Sequence, residues 1–333
     1  MGLDGYEPFY LHSPAELRDE ISRLGLDLPV ADDDRILETP LAVGGCGLDN
    51  RFCALPVAGF DANPDGTPGP LTLRRYTRLA AGGYGLLWIE GTDIGAPTPG
   101  RLALNERTFD AFRDLVATLR AEAHRDDGHP RLILHLRAAP GVEADALTAA
   151  AGLAHRAGFD GVDLPVFTRA HAAFMPSVAA ALRAAAPDML LASSLMCYDA
   201  RRAPDGFGVD ARDVRRMDLT EPLAAAHALV AAGVTLLCVR ANSPNVLFSF
   251  SLCGLRPRTE SQAPHEHPLT VLARKVPAAR ALRAALPGVR IAGSGFAWLR
   301  GFAPPVAAAL IHDGTLDVFG LGRAARAERA APA

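Results

Sequence analysis

Short apolar runs that end in glycine or another small residue, each followed by an amphipathic stretch, recur along most of this chain. Two of them lie near the C-terminus: Val289-Arg290-Ile291-Ala292-Gly293-Ser294-Gly295 and Leu316-Asp317-Val318-Phe319-Gly320-Leu321-Gly322-Arg323. A run of this kind reads as a parallel strand buried on both faces. Glycines at its end let backbone N–H groups approach an anion. Two such units in succession, the second closed by Arg323, look like the phosphate cup after strands seven and eight of a (β/α)8 barrel. Two ordinary strand-to-helix turns would give the same local pattern.

The rest of the chain supplies the other units. Residues 1–36 read as an N-terminal extension with a short helix from Pro14 to about Leu24, capped by Ser13. Leu37 to Asn50 reads as a small hairpin, turning at Gly44-Gly45 and Asp49-Asn50, placed to plug the bottom of a barrel. Strands are expected at Phe52–Pro56, Gly85–Glu90, Arg131–Leu136, Gly161–Leu164, Met189–Ser193 and Thr235–Arg240, before the two glycine-ended strands. Helices are expected at Thr72–Ala81, Thr108–Ala123, Ala144–Ala157, Ser177–Ala186, Glu221–Ala232, Val271–Leu286 and Pro304–Ile311. Long loops fill Tyr198–Leu219 and Ala241–Pro268. About eight strand–helix units make a (β/α)8 TIM barrel over residues 37–333 the expected fold. A doubly wound sheet is the alternative, but no G-x-G-x-x-G follows the first strand.

Composition narrows the function. A 49% hydrophobic content over 333 residues supports a large core, and a net charge of −3 leaves no electrostatic footprint for nucleic acid. No apolar run approaches the ~18 residues of a membrane span. Met1 to Tyr10 lacks the basic–apolar pattern of a secretory signal, so the expected compartment is the cytoplasm and no membrane partner is expected. The five cysteines, Cys46, Cys53, Cys197, Cys238 and Cys253, form no C-x-x-C pair. Three lie in or beside expected buried strands and read as apolar filler, the odd count fits a reducing compartment, and no metal site is expected. His265-x-His267 has metal-ligand spacing without an evident third partner. Among 34 basic residues the only lysine is Lys275. A Schiff-base mechanism would have to use it. Its place inside a predicted helix, away from any strand end, leaves that class out of the expectation.

In a barrel the site lies at the C-terminal strand ends. The candidates there are Ala58, Gly91, His135, Arg137, Pro165, Thr168, Ser194, Tyr198, Arg240, Asn242 and Arg323. His135 reads either as a donor to a ligand or as a satisfied core histidine. Arg137 and Arg240 read either as anion binders or as structural ion pairs. Tyr198 reads either as an acid or as a packed ring.

Several of these stretches together resemble the old yellow enzyme family of FMN-dependent ene-reductases. Asn50-Arg51-Phe52-Cys53-Ala54-Leu55-Pro56-Val57 is similar to the family's opening strand. Asp65-Gly66-Thr67-Pro68 through Tyr76 and Ala80-Ala81-Gly82-Gly83-Tyr84-Gly85-Leu86 resemble its first helix and second strand. Glu90-Gly91-Thr92 looks like the strand-two end, where backbone meets the flavin. Ala157 to Asp163 looks like its fourth strand. Gly293-Ser294-Gly295 and Gly320-Leu321-Gly322-Arg323 look like its phosphate site. The likeness runs from about Leu37 to Arg323 and rests on the order and spacing of these motifs. It implies an FMN cofactor contacted by Pro56, Ala58, Gly91, His135, Gly293, Ser294, Gly295, Gly322 and Arg323, with NAD(P)H as electron donor.

The departures from the family pattern fall on its chemistry. His135 stands where the family has a glutamine that bonds the flavin ring. Pro140-Gly141 replaces a long loop. Pro165 and Thr168 stand where a pair of His or His/Asn side chains would hold a carbonyl oxygen, and Ala170 replaces a proton-donating tyrosine. Ser194 matches an arginine that faces the flavin's N1 and O2 edge. Developing charge on a carbonyl oxygen needs preorganised donors, and a reduced flavin needs a nearby cation. His135, His171 and Tyr198 are therefore the catalytic candidates, and Thr168 and Arg240 the substrate-binding ones.

The expected activity is NAD(P)H-dependent reduction of a small unsaturated molecule with non-standard donors. Two alternatives stay open. One is a degenerate family member without flavin chemistry, acting as a binding protein or as the partner of an active homologue in a heteromer, or as a homo-oligomer. The other is a non-redox enzyme using His135 or His171 as a base.

Overall fold

Strand β3 (Phe52–Ala54) is paired on both sides, and those two pairings close a barrel. The computed structural model describes residues 10–123, 129–137, 142–201, 204–241 and 267–327. Around the barrel, β3 is followed by β4 (Leu86–Ile94), β6 (Arg131–Arg137), β7 (Gly161–Asp163), β8 (Leu190–Tyr198), β9 (Leu236–Ala241), β10 (Arg290–Gly293) and β11 (Val318–Leu321), all parallel. β11 returns to β3 with Phe319 opposite Phe52, which completes the (β/α)8 barrel. A short strand β5 (Ala103–Leu104) extends the end of β4.

Helices cover the outside: α1 (Pro14–Arg23), α2 (Pro70–Ala80), α3 (Phe109–Glu122), α4 (Ala144–Arg156), α5 (Arg169–Ala185), α6 (Thr220–Ala231), α7 (Pro268–Ala273), α8 (Lys275–Ala285), α9 (Ala303–His312) and α10 (Arg323–Ala327). α3 shows why they form. Phe112, Leu115, Val116 and Leu119 recur at helical spacing and are the residues it buries. α5 differs from expectation. It starts at Arg169 rather than Ser177, because Thr168 caps it by accepting from the His171 N–H, and Pro176 is carried inside the helix. The helix expected at 271–286 is divided into α7 and α8, so that Lys275 opens a helix instead of lying within one. β8 runs past the expected Ser193, because Ser194, Leu195 and Met196 stay in register with Cys238, Val239 and Arg240, and after an irregularity Tyr198 pairs with Ala241.

Two clusters divide the core. The larger one lies between strands and helices. The smaller one is the lumen, where Cys53, Leu86, Trp88, Ile133, Leu190, Ala192, Leu236, Cys238, Ala292 and Val318 meet. The expected hairpin, β1 (Leu41–Val43) and β2 (Cys46–Leu48), adds Leu41, Val43 and Leu48 to that lumen. Its turn uses Gly44 at φ 54 and Gly45 at φ 84, where a side chain would be strained. Arg131 and Arg290, at the starts of β6 and β10, each donate to a hairpin carbonyl at 3.0 Å, on Gly47 and Ala42. The hairpin therefore seals the N-terminal end of the barrel. No helix among the described residues is long and apolar enough to cross a membrane.

Candidate active site

Side chains alternate along a strand, so the lumen positions identify what stands at the top. Counting upward by twos from Trp88, Ile133, Gly161, Ala192, Cys238 and Ala292 reaches Glu90, His135, Asp163, Ser194, Arg240 and Ser294. A polar layer therefore rests on an apolar lumen. The thiols below it are filler: burial pushes Cys53 well up and Cys238 up.

Asp163, fully buried, is the centre of that layer. Its carboxylate accepts from Trp88 Nε1 at 3.0 Å, from the Ser194 N–H at 2.7 Å and from the Ser194 hydroxyl at 2.8 Å. It also accepts from His135 Nδ1. A buried carboxylate needs donors of this number to offset its desolvation. The His135 tautomer follows: Nδ1 carries the hydrogen, and Nε2 is the nitrogen left for a ligand. Phe167 stacks on the His135 ring at 6.1 Å and tilts against His171 at 6.4 Å, so it stands between the two histidines. His171 remains in the first turn of α5, where its Nδ1 accepts from the Phe167 N–H at 3.3 Å.

Arg240 reaches from β9 across to β8. Its Nη2 lies 3.5 Å from Ser194 Oγ, and its buried Nε has no hydrogen-bond partner among the described residues. Arg137 differs: it forms an ion pair with Asp93, and its aliphatic part packs on Gly91, where an added Cβ would lie 2.9 Å from Arg137 Cδ. Of the two arginines, one is a structural pair and the other is not.

Lys275 is the group that the sequence reading missed. From the start of α8 its ammonium donates to the Ser294 carbonyl at 3.0 Å, at the end of β10. Gly295 has φ 90, and a Cβ there would overlap the Lys275 ammonium. Burial first, and the neighbouring Arg240 guanidinium second, together lower the ammonium from its usual 10.5 to about 8, with Cys238 opposing. The signal in the sequence was the lone lysine in an apolar helix. Asp163 was also missed, although an acid between Val162 and Leu164 in a buried run calls for partners.

The remaining candidates sit as follows. Pro56 and Ala58 are half-buried beyond β3. Their loop is fixed by Glu90, which accepts from the Gly59 N–H at 2.7 Å and pairs with Arg75, itself paired with Asp61. In the cup, Gly293 follows Ala292 on β10, Ser294 gives its hydroxyl to the Val239 carbonyl at 2.7 Å, and Arg323 opens α10 at the surface. An added Cβ at Gly322 would make only an ordinary contact, with Val57 Cγ2 at 3.6 Å. Thr168 is the cap of α5. The Tyr198 hydroxyl donates to the Val214 carbonyl at 2.7 Å, and its ring carries the Arg274 guanidinium, so it packs against the loop after β8. His267 caps α7 with Nδ1, accepting from the Leu269 N–H at 3.2 Å. Asn242, Cys253, His265 and Pro140-Gly141 lie outside the described residues.

No protein-family model matches this chain, and no curated protein matches it. Solved structures do. A 2-naphthoyl-CoA reductase in complex with 2-naphthoyl-CoA superposes with TM-score 0.64 at 14% identity, over 87% of this chain and 50% of that one. This chain thus spans about half the length of that reductase. The old yellow enzyme homologue from Zymomonas mobilis gives 0.59 at 14% identity, covering 86% and 88%. Morphinone reductase in complex with tetrahydroNAD gives 0.57 at 17% identity, covering 86% of each. At these identities the likeness is one of fold: the barrel of this chain is the barrel that old yellow enzyme structures share.

Proposed function

We propose that this chain is an FMN-binding oxidoreductase of the old yellow enzyme type. It would reduce a small unsaturated molecule at the expense of NAD(P)H, with donors other than the family's usual pair. The observation that carries this reading is Arg240 beside Ser194. Ser194 matches the family arginine that faces the flavin's N1 and O2 edge, and Arg240 brings a guanidinium to that same place from the next strand. Its buried Nε lacks an acceptor among the described residues, which is the state of a donor built for an anionic ligand.

The residues present fit the cofactor on the phosphate side as well. Gly293, Ser294 and Gly295 offer backbone, Gly322 leaves room for a close approach, and Arg323 can fork onto phosphate. Pro56, Ala58 and Gly91 would line the ring. The chemistry that FMN brings when bound is hydride transfer. The chain's own part is proton and charge handling. His135, oriented by Asp163, presents Nε2 to a substrate oxygen or carbon. Thr168 keeps its hydroxyl hydrogen for donation while its oxygen caps α5, and His171 and Tyr198 stand further out.

A second reading is favoured by Arg137. Its side chain covers Gly91 and is tied to Asp93, so the strand-two end is already packed. That would suit a relative without flavin chemistry, acting as a binding protein or as the partner of an active homologue. One experiment separates the two. FMN is titrated into the purified protein while its visible spectrum and fluorescence are followed. The first reading expects saturable binding, weakened about tenfold or more in Arg323→Ala. Absence of binding by the folded wild-type protein leaves the second.

A further inference from the structure

Lys275 is not used by the function proposed above, yet its surroundings are those of a reacting amine. Four observations converge on it. Its Nζ reaches the C-terminal end of β10, the face where barrel chemistry occurs. Its hydrogen bond is to a neutral carbonyl, and it forms no ion pair among the described residues. Arg240 is its charged neighbour and is also without an ion pair there. Finally, Gly295 leaves the ammonium the space that any side chain would fill. A lysine placed for stability would be expected to meet a carboxylate, since unpaired burial of an ammonium is costly.

We propose that Lys275 is a nucleophile that forms an imine with a small carbonyl compound bearing a carboxylate, and that Arg240 receives the carboxylate. The neutral amine adds to the carbonyl carbon, giving a carbinolamine. The carbonyl oxygen then leaves as water, taking both amine hydrogens, and a Lys275 N=C bond remains. No oxidant or reductant is consumed. An amine beside another cation in a desolvated site has a larger neutral fraction near neutral pH, which is what imine formation requires. The lowered ammonium described above is consistent with this. So is the division of labour: a guanidinium forks onto a carboxylate, whereas a lysine can become uncharged and attack.

The proposal does not depend on FMN binding, and the composition of the chain makes it simple to test. Lys275 is the sole lysine, so the only other primary amine is the N-terminal one. The 333-residue chain is incubated with glyoxylate and sodium cyanoborohydride, which reduces an imine to a stable secondary amine. Intact mass and peptide mapping then locate the carboxymethyl group. The expected result is one adduct on the peptide containing Lys275, and none there in Lys275→Arg. Propanal, which has no carboxylate, should label more slowly. Arg240→Gln, which also removes a charge that lowers the amine, should slow glyoxylate labelling about tenfold more than it slows propanal labelling. Labelling confined to the N-terminal amine of folded wild-type protein overturns the proposal. So does a glyoxylate-to-propanal rate ratio that is the same in wild type and in a folded Arg240→Gln. Circular dichroism establishes folding for each variant. FMN absorbance recorded on the same samples reports the flavin reading separately, so either idea can fail alone.

Discussion

His135 gives its Nδ1 hydrogen to Asp163 across β6 and β7, and the same carboxylate holds the backbone and hydroxyl of Ser194 on β8. Three neighbouring strands therefore share one acceptor. Asp163→Asn keeps one acceptor oxygen but turns an NH2 group toward donors. It should cost about 1–3 kcal/mol by urea denaturation. It should also free the His135 ring, visible as a changed imidazole resonance in NMR. An unchanged midpoint and resonance would show that the carboxylate is not organising the layer.

Arg75 joins Asp61 and Glu90, the latter with its side chain almost wholly buried. Arg75→Ala removes the guanidinium from the buried Glu90 carboxylate, which keeps its Gly59 N–H. The expected loss is about 3–5 kcal/mol, the range found when one partner of a buried pair is removed. Arg75→Ala with Glu90→Gln should recover part of it, because the stranded charge is gone.

Lys275 gives stability an alkaline dependence. Its pKa is lowered to about 8 in the folded chain, from an ordinary 10.5. Between these values the unfolded chain binds the extra proton, so stability rises with pH across that window. The groups facing the amine are Arg240 and Cys238 on β9 and the Ser294 carbonyl on β10. Relative to Lys275→Met, wild type should gain stability from about pH 8 to about pH 10.5 and hold it above. A flat difference would mean that the amine is not perturbed.

Gly295→Ala should cost on the order of 1–3 kcal/mol from its positive φ alone. A further loss should come from the collision with the Lys275 ammonium. In a Lys275→Ala background the second part should vanish, and a double-mutant cycle measures it.

Much of the fold was legible because a barrel repeats one simple pattern. Apolar strand runs, glycine at their ends and helical spacing recur often enough that the unit count alone indicates the architecture. The plugging hairpin could be read from Gly44-Gly45. The site was legible only in part, and the reason is geometric. His135 and Arg240 sit on strands, where position along the chain fixes the direction of the side chain. Lys275 opens a helix and reaches the site through four methylenes, so its chain position gave the wrong address. Thr168 and Tyr198 were placed near the right end of the barrel, but their hydrogen-bonding partners are local backbone, which a sequence does not display. The α5 boundary was missed for a similar reason. A proline inside a helix reads as a stop unless the cap eight residues earlier is recognised.

The packed lumen, with the hairpin laced to Arg131 and Arg290 beneath it, leaves the barrel a single mouth. With the lower end shut, a molecule reaching Asp163, Arg240 or Lys275 arrives and departs by the same opening. A large ligand resting across that opening would govern the passage of every smaller one, and binding would follow a compulsory order. The packed interior beneath the polar layer would thus decide the sequence of events at its rim.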